Sequence, residues 1–271
     1  MSKEFQSPNL ESKTIKELTI QLLEAHSNLQ TLQKERKMML VNISHDLRAP
    51  IAAIRSAIDL VLSTDTLSKK DILKTLNLID KRTAVLEDLV NDMYYLFCVE
   101  DLSRPIITQS VDACTFLEEY FYNATVDSRY DAFDMQLDVP TNLSCTIYIE
   151  PQKMIRVLDN LMINSAKHAG EKATYIRLSA NLSMDKGPDR QLIISVSDDG
   201  CGIAPEALPH IFTRTYTVSS ARTPGTSSGS GLGLSIAKAI VERHGGSINV
   251  ESKLEEGTRF TVSLPCFCSQ S

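Results

Sequence analysis

A narrow apolar stripe near the N-terminus sets the tightest limit on how this chain folds. Ile15, Leu18, Leu22, Ala25, Leu29, Leu32, Arg36, Met39 and Ile43 follow one another in alternating steps of three and four residues. That is the repeat of a coiled-coil seam, and the spacing predicts one long helix from about residue 15. Residues 1–12 are polar and expected to be loose. A stripe this narrow suits a parallel dimeric coiled coil, the other reading being a helix packed on its own domain. Arg36 is a polar position on the seam that would help set register.

The seam runs straight into Val41-Asn42-Ile43-Ser44-His45-Asp46-Leu47-Arg48-Ala49-Pro50-Ile51. His45 stands two residues beyond Ile43, about 200° round a helix, and so faces solvent. Pro50 removes the helical partner of the Asp46 carbonyl, and a kink is expected there. The Asp46 carboxylate can hold one imidazole nitrogen protonated and leave the other free to attack. An ordinary surface histidine is the other reading of the same pair.

After Pro50, Ile51, Ile54, Ile58 and Val61 continue the helix, and Ser63-Thr64-Asp65-Thr66 breaks it. A second helix follows, with Ile72, Leu76, Ile79, Thr83, Leu86, Val90, Met93 and Phe97 again in steps of three and four. Two such helices form a hairpin, and two hairpins pairing as a four-helix bundle would bury what one leaves open. Arg104-Pro105 marks a boundary. We divide the chain into a coiled coil (1–34), a hairpin domain (35–104) and a second domain (105–271).

In the second domain, strands are expected at Ile106–Ser110, Phe133–Val139, Cys145–Ile149, Thr174–Leu182, Leu192–Ser197, 247–252 and 258–264. Helices are expected from Val111 to about Arg129, over Pro151–His168, and from Gly231 to Gly245-Gly246. A turn is expected at Lys186-Gly187-Pro188-Asp189. Residues 213–230, rich in Ser, Thr and Gly, read as a mobile loop. The mixed order indicates an α+β sandwich.

The charge of −6 argues against a general nucleic-acid binder. No apolar run reaches the length of a membrane span and no signal-peptide core is evident, so no membrane contact within this chain and a cytoplasmic location are expected. The six cysteines (98, 114, 145, 201, 266, 268) lack zinc-site spacing and are expected to be reduced thiols.

Three local patterns point to nucleotide chemistry. Asn160 and Asn164 share one face of the 151–168 helix, followed there by Lys167 and His168. An amide oxygen could serve Mg²⁺, or the pair could be a hydrogen-bonded polar face. Asp198-Asp199-Gly200-Cys201-Gly202-Ile203 follows a strand; glycines there would let backbone approach a flat ligand while a carboxylate accepts from an exocyclic amine. An ordinary strand-end turn is the other reading. Gly229-Ser230-Gly231-Leu232-Gly233-Leu234-Ser235 leads into a helix, where backbone N–H groups favour phosphate. Neither the dinucleotide fingerprint nor the P-loop is present.

Taken together, residues 35–265 resemble a sensor histidine kinase of two-component signalling. His45–Pro50 is similar to the family's H box and Asp159–Ala169 to its N box. Asp198–Ile203 resembles the first glycine box, Ile211–Tyr216 the F box, and Gly229–Leu234 the second glycine box. The resemblance implies a dimeric helical hairpin followed by an α/β sandwich ATP-binding domain of the gyrase, MutL and histidine-kinase type. It implies His45 as phosphoacceptor with Asp46 beside it, Asn164 at Mg²⁺, and Asp198 on adenine. Asn160, Lys167 and His168 would lie near the phosphates. Gly200, Gly202, Ile203, Phe212, Arg214, Gly229, Gly231, Leu232 and Gly233 would complete the ATP site, with 213–230 as its lid. ATP and Mg²⁺ are the implied cofactors; a homodimer and a response-regulator receiver domain are the implied partners. The chain would then lie in the cytoplasm, a place compatible with the cytoplasmic part of a membrane-bound sensor. Ala49 stands where the family has Thr or Asn, which predicts weak phosphatase activity. Thr213 and Thr215 replace the common Glu and Phe of the F box, and Glu150 replaces an Asp.

Overall fold

The computed structural model describes residues 8–64, 66–140, 143–170, 173–183, 190–213 and 231–267, leaving aside the side chains of 8–16, 28, 32, 35 and 36. The turn at 186–189 and most of the 213–230 loop fall outside the described residues, as do Cys268, Arg214 and Gly229.

The N-terminal part is two helices, α1 (Pro8–Ser63) and α2 (Lys69–Glu100). Helix α1 starts at Pro8, so residues 8–12 are helical rather than loose. It also stays helical on both sides of Pro50, which is buried. Ser68 caps α2 by accepting from the Asp71 N–H at 3.2 Å, and its own hydroxyl donates to the Asp71 carboxylate at 2.6 Å. On α1 the hairpin buries Met39, Ile43, Pro50 and Ala57; on α2 it buries Thr75, Leu89 and Leu96. Ile43, Pro50 and Ala57 are seven apart, as are Leu89 and Leu96.

That is one row per helix; of the seam expected on α2, Ile79, Leu86, Met93 and Phe97 are half-buried, but none is in the fully buried row. Of the predicted α2 seam, Ile72, Leu76, Thr83 and Val90 are exposed, with Ile51 and Ile58 exposed on α1. The residues one position away turn inward because two helices can each bury only one narrow stripe against the other. Upstream, Leu18, Leu22 and Leu29 of the coiled-coil seam are exposed as well.

The second part is a two-layer sandwich. Its strands are β1 (Gln109–Asp112), β2 (Asp134–Asp138), β3 (Thr146–Ile149), β4 (Tyr175–Leu182), β5 (Gln191–Asp198), β6 (Ser247–Lys253) and β7 (Gly257–Phe267). Their order is β1-β3-β7-β5-β4-β2, with β6 also paired to β7. Only β2 and β4 run parallel among these pairs. Strand β7 is the spine, pairing with β5 over Thr258–Pro265, with β6 over Gly257–Ser263, and with β3 at Cys266 and Phe267.

Helices α3 (Ala113–Ala124), α4 (Pro151–His168) and α5 (Gly233–Arg243) supply the other layer. Even-numbered residues of the central strands face them: Ile176, Leu178, Leu192, Ile194, Val196, Phe260, Val262 and Leu264 are all buried. Two expectations shift here. The first strand begins at Gln109 rather than Ile106. The following helix stops at Ala124, after which Asp127 caps a short 3₁₀ turn over Ser128–Tyr130. The described cysteines 98, 114, 145, 201 and 266 are all free thiols. No helix among the described residues is long and apolar enough to cross a membrane.

The two parts meet along α2. Arg243, at the end of α5, donates to the carbonyls of Val99 and Asp101, each at 2.9 Å, and to that of Arg104. Val99 O belongs to the last turn of α2, whose carbonyls lack a helical partner, while Asp101 O also accepts from Arg104 N at 3.1 Å. Arg156 on α4 pairs with Asp92, and its guanidinium lies 4.8 Å from the Tyr95 ring centre. Helices α4 and α5 are tied to each other where the His244 ring accepts from the Glu150 N–H at 3.0 Å and donates to Ile240 O at 2.7 Å. Burial lowers the His244 pKa against that second bond, keeping the neutral ring that this geometry needs.

Replacing Arg243 by Ala removes the donor to three carbonyls, of which Asp101 O keeps the Arg104 N–H. We expect a loss of about 1–3 kcal/mol, read by chemical denaturation, with faster amide exchange confined to residues 99–106.

Candidate functional site

His45 lies on the exposed face of α1, its side chain 59% accessible, with Nδ1 3.4 Å from Asp46 Oδ1. Ile43 is 4% exposed and faces the hairpin, as the two-residue offset requires. The pair is loose, an orienting contact rather than a tight ion pair. It leaves Nε2 open to solvent if Nδ1 carries the proton.

The second site is assembled at the far end of α4. Asp198 ends β5 and is 7% exposed. The Gly200 N–H donates to its Oδ1 at 3.0 Å. Burial raises the Asp198 pKa, while Ser165 and the Gly200 and Thr258 N–H groups oppose the shift. Ser165 sits beside the carboxylate without a hydrogen bond of good geometry. Asp199 has another task. It accepts from Thr174 N and Tyr175 N, at 2.8 and 3.1 Å, and from the Thr174 hydroxyl, anchoring the start of β4. Burial works against its charge, but these bonds prevail and hold its carboxyl below the usual range.

The glycines of this turn answer to protein packing. A Cβ on Gly202, at φ +69°, would sit 2.1 Å from the Lys253 carbonyl oxygen. A Cβ on Gly257, at φ +109°, would sit 2.0 Å from the Asp198 carbonyl oxygen. The turn after β5 is thus pressed onto the β6–β7 hairpin, and Ile203 N donates to Ser252 Oγ at 2.8 Å across the same seam. This backbone contact by itself requires a glycine at position 202. Thr258, Gly257, Ser252 and Ser165 all escaped the sequence reading. Glu255-Glu256-Gly257 signals a turn, but nothing local tells which turn it touches.

Asn160 and Asn164 are both half-buried on α4. The Asn160 Nδ2 is buried without a partner. Its Oδ1 lies 3.0 Å from where a Cβ on Gly233 would stand, so the glycine loop closes directly on the amide. Gly231 takes φ +67° and the helix starts at Gly233, two residues later than expected. No side chain caps α5, leaving its first N–H groups for a ligand. Leu232 is fully buried and anchors this loop. Phe212 packs edge-on to Phe260, ring centres 6.4 Å apart, with Ile203 against the same core. Lys167 and His168 lie exposed at the end of α4. Crowding by protein atoms, then Lys167, lowers the His168 pKa.

An orphaned buried amide, an uncapped helix start and a buried carboxylate beside close backbone turns together fit a nucleotide: phosphates at α5, a base at Asp198. No group of three acidic, His or Cys side chains fit to hold a metal occurs among the described residues. A Mg²⁺ ion here would take Asn164 and draw its other ligands from phosphate oxygens and water.

This half of the chain has the build of an ATP-binding sandwich. Residues 149–267 match the model of the histidine kinase-, DNA gyrase B- and HSP90-like ATPases, and residues 35–101 match the His Kinase A phospho-acceptor domain. The chain belongs to the sensor histidine kinase family of two-component signalling and carries its kinase core. It is similar to the sensor protein kinase WalK of Staphylococcus saprophyticus subsp. saprophyticus, with 31% identity over 238 residues, 88% of this chain and 38% of WalK. It therefore spans about two fifths of that relative's length. Two solved histidine kinases share the fold. ThkA in complex with response regulator TrrA has a TM-score of 0.63 and 21% identity, over 84% of this chain and 60% of that one. Full-length ShkA in complex with AMPPNP has a TM-score of 0.57 and 22% identity, over 86% and 46%.

A carboxyl whose pKa is raised on folding lends stability below its unfolded value and gives it up as pH rises through the folded value. Ionised Asp198 is therefore a burden at neutral pH. Asp198→Asn should melt no lower than the parent at pH 7, and the difference should shrink as the pH falls towards about 4, the range of an unfolded aspartate. Melting curves at the two pH values check this.

Proposed function

We propose that this chain moves the γ-phosphoryl group of ATP onto His45 and then onto an aspartate of a response-regulator receiver domain. The observation that carries the reading is an exposed imidazole–carboxylate pair on one domain, joined in the same chain to a nucleotide cradle on the next.

Asp198 would accept from the adenine amine, and the α5 N-terminus with Gly231 and Gly233 would face the phosphates. Asn160, Lys167 and His168 would stand nearby, and Asn164 would hold Mg²⁺, whose charge screens the phosphates. Arg214 and Gly229 would belong to the lid. Asp46 holds the Nδ1 proton, so the Nε2 lone pair attacks phosphorus. An N–P bond forms, the bond to the β,γ-bridging oxygen breaks, and ADP leaves. A receiver carboxylate then takes the phosphoryl group and His45 is restored.

The exposed rows on α1 and α2 support a homodimer in which two hairpins form a four-helix bundle. Around His45, Lys37, Leu40, Val41, Ser44 and Arg48 line an open groove on the same helix. That groove supports docking of a receiver domain, as ThkA binds TrrA. The reading places the chain in the cytoplasm as part of a longer sensor.

Incubation with Mg²⁺ and γ-labelled ATP tests the core claim. We expect acid-labile, alkali-stable label on the parent and none on His45→Gln. Bound ATP with no label would make the chain a silent scaffold. Phosphate release indifferent to the mutation would make it an ATPase.

Ala49, exposed one helical turn after His45, offers no hydroxyl or amide to position water. The parent should therefore spare a phosphorylated receiver. Ala49→Thr should speed its dephosphorylation by roughly tenfold or more, measured by loss of label from the receiver.

A further inference from the structure

A second cavity, of about 210 Å³, lies where α3, α4 and the 3₁₀ turn meet. Its polar lining is Glu119, Tyr120, Asn123, Asp127, Arg129, Tyr130 and Asp159, with Phe116 on the apolar side. It is separate from the nucleotide cradle. Asp159 precedes Asn160, and successive helical residues point about 100° apart. Asn160 meets Gly233 of α5, whereas Asp159 accepts from the Tyr120 hydroxyl of α3 at 3.0 Å.

Two features indicate an occupant. Tyr130 is 3% exposed, and its buried hydroxyl has no hydrogen-bond partner. Buried polar groups are seldom left so unless something external completes them. The charge of the lining is also unbalanced. Three carboxylates face one guanidinium, and that guanidinium is committed to Asp127 through its Nε at 2.9 Å while covering the Tyr130 ring at 5.8 Å. Asp159 and Glu119 form no direct ion pair among the described residues, although Arg129 and Arg156 stand near enough to favour the Asp159 carboxylate. The acids do not converge as ligands of a metal ion.

We propose that this cavity binds a small organic ammonium ion. The ammonium would donate to the free lone pairs of Asp159 and to the Tyr130 oxygen, with Glu119 at the mouth. Tyr120 and Phe116 would supply aromatic walls, which favour a desolvated cation. The volume suits a molecule of few heavy atoms.

Putrescine and choline are the probes, titrated into the full chain by calorimetry without nucleotide, so the result is independent of phosphorylation. 1,4-Butanediol and succinate are the uncharged and anionic counterparts. We expect saturable binding of an ammonium probe only. Loss of a charge-assisted contact should weaken it by about tenfold in Asp159→Asn and severalfold in Tyr130→Phe. Glu119→Gln, on an exposed side chain that leaves the fold intact, should weaken it about threefold. Melting curves show whether each variant is folded. Equal binding of butanediol, undiminished affinity in folded Asp159→Asn and Glu119→Gln, or no saturable binding of either ammonium probe would overturn the proposal.

Discussion

The nucleotide half depends on two backbone contacts too close for any side chain. Gly202 meets the Lys253 carbonyl and Gly257 meets the Asp198 carbonyl, both from the left-handed side of φ. They clasp the turn after β5 to the β6–β7 hairpin, and Glu255 N to Cys201 O at 2.9 Å adds a third tie. A buried carboxylate resists burial and would tend to swing towards water. The clasp denies Asp198 that escape, because its own backbone is one jaw. Rigidity is provided by packing that needs no ligand, so the Asp198 carboxylate is fixed in place by the protein alone.

The same logic extends to the junction with the hairpin. Helices α4 and α5 run antiparallel, with Glu150 beside His244 at one end and Asn160 beside Gly233 at the other. The hairpin grips the first end through Arg156 and Arg243. Asn160 and the glycine loop lie at the second. Two helices tied at both ends behave as one block, so a force from α2 on Arg156 or Arg243 is felt by the block that carries Asn160. The contacts at the junction are polar and charge-assisted, the kind that separate more readily than an apolar core.

Much of this was legible from period and punctuation. The central elements of the sandwich, Pro151–His168, Tyr175–Leu182, Gln191–Asp198 and the β6–β7 pair, fall within three residues of their expected bounds because alternation and a proline start are local signals. The placing of Asn160, Asp198 and Gly233 around one end of α4 followed from the resemblance of their motifs to a family. The contacts that hold them did not. Ser165, Ser252, Gly257, Arg156 and Arg243 act across the fold, and their partners lie tens of residues away. The ends of α3 and β1 moved because Asp112 and Asp127 each cap a turn. An aspartate reads equally well as a helix residue or as its cap.

The α2 seam shows how far periodicity goes. A three-four repeat names a stripe but not the surface that covers it. In a lone hairpin the stripe splits. One heptad row, with Leu89 and Leu96, turns to α1, and its neighbour, with Ile72, Leu76 and Val90, stays in water beside Ile51 and Ile58 of α1. Burying one such side chain is worth about 1.5–3 kcal/mol. Five of them are exposed on the hairpin, apolar surface that water does not favour. In the homodimer proposed above, a partner hairpin related by a two-fold along the bundle axis would lay the same row against this one. The exposed row and the buried one would then be two sides of a single bundle core.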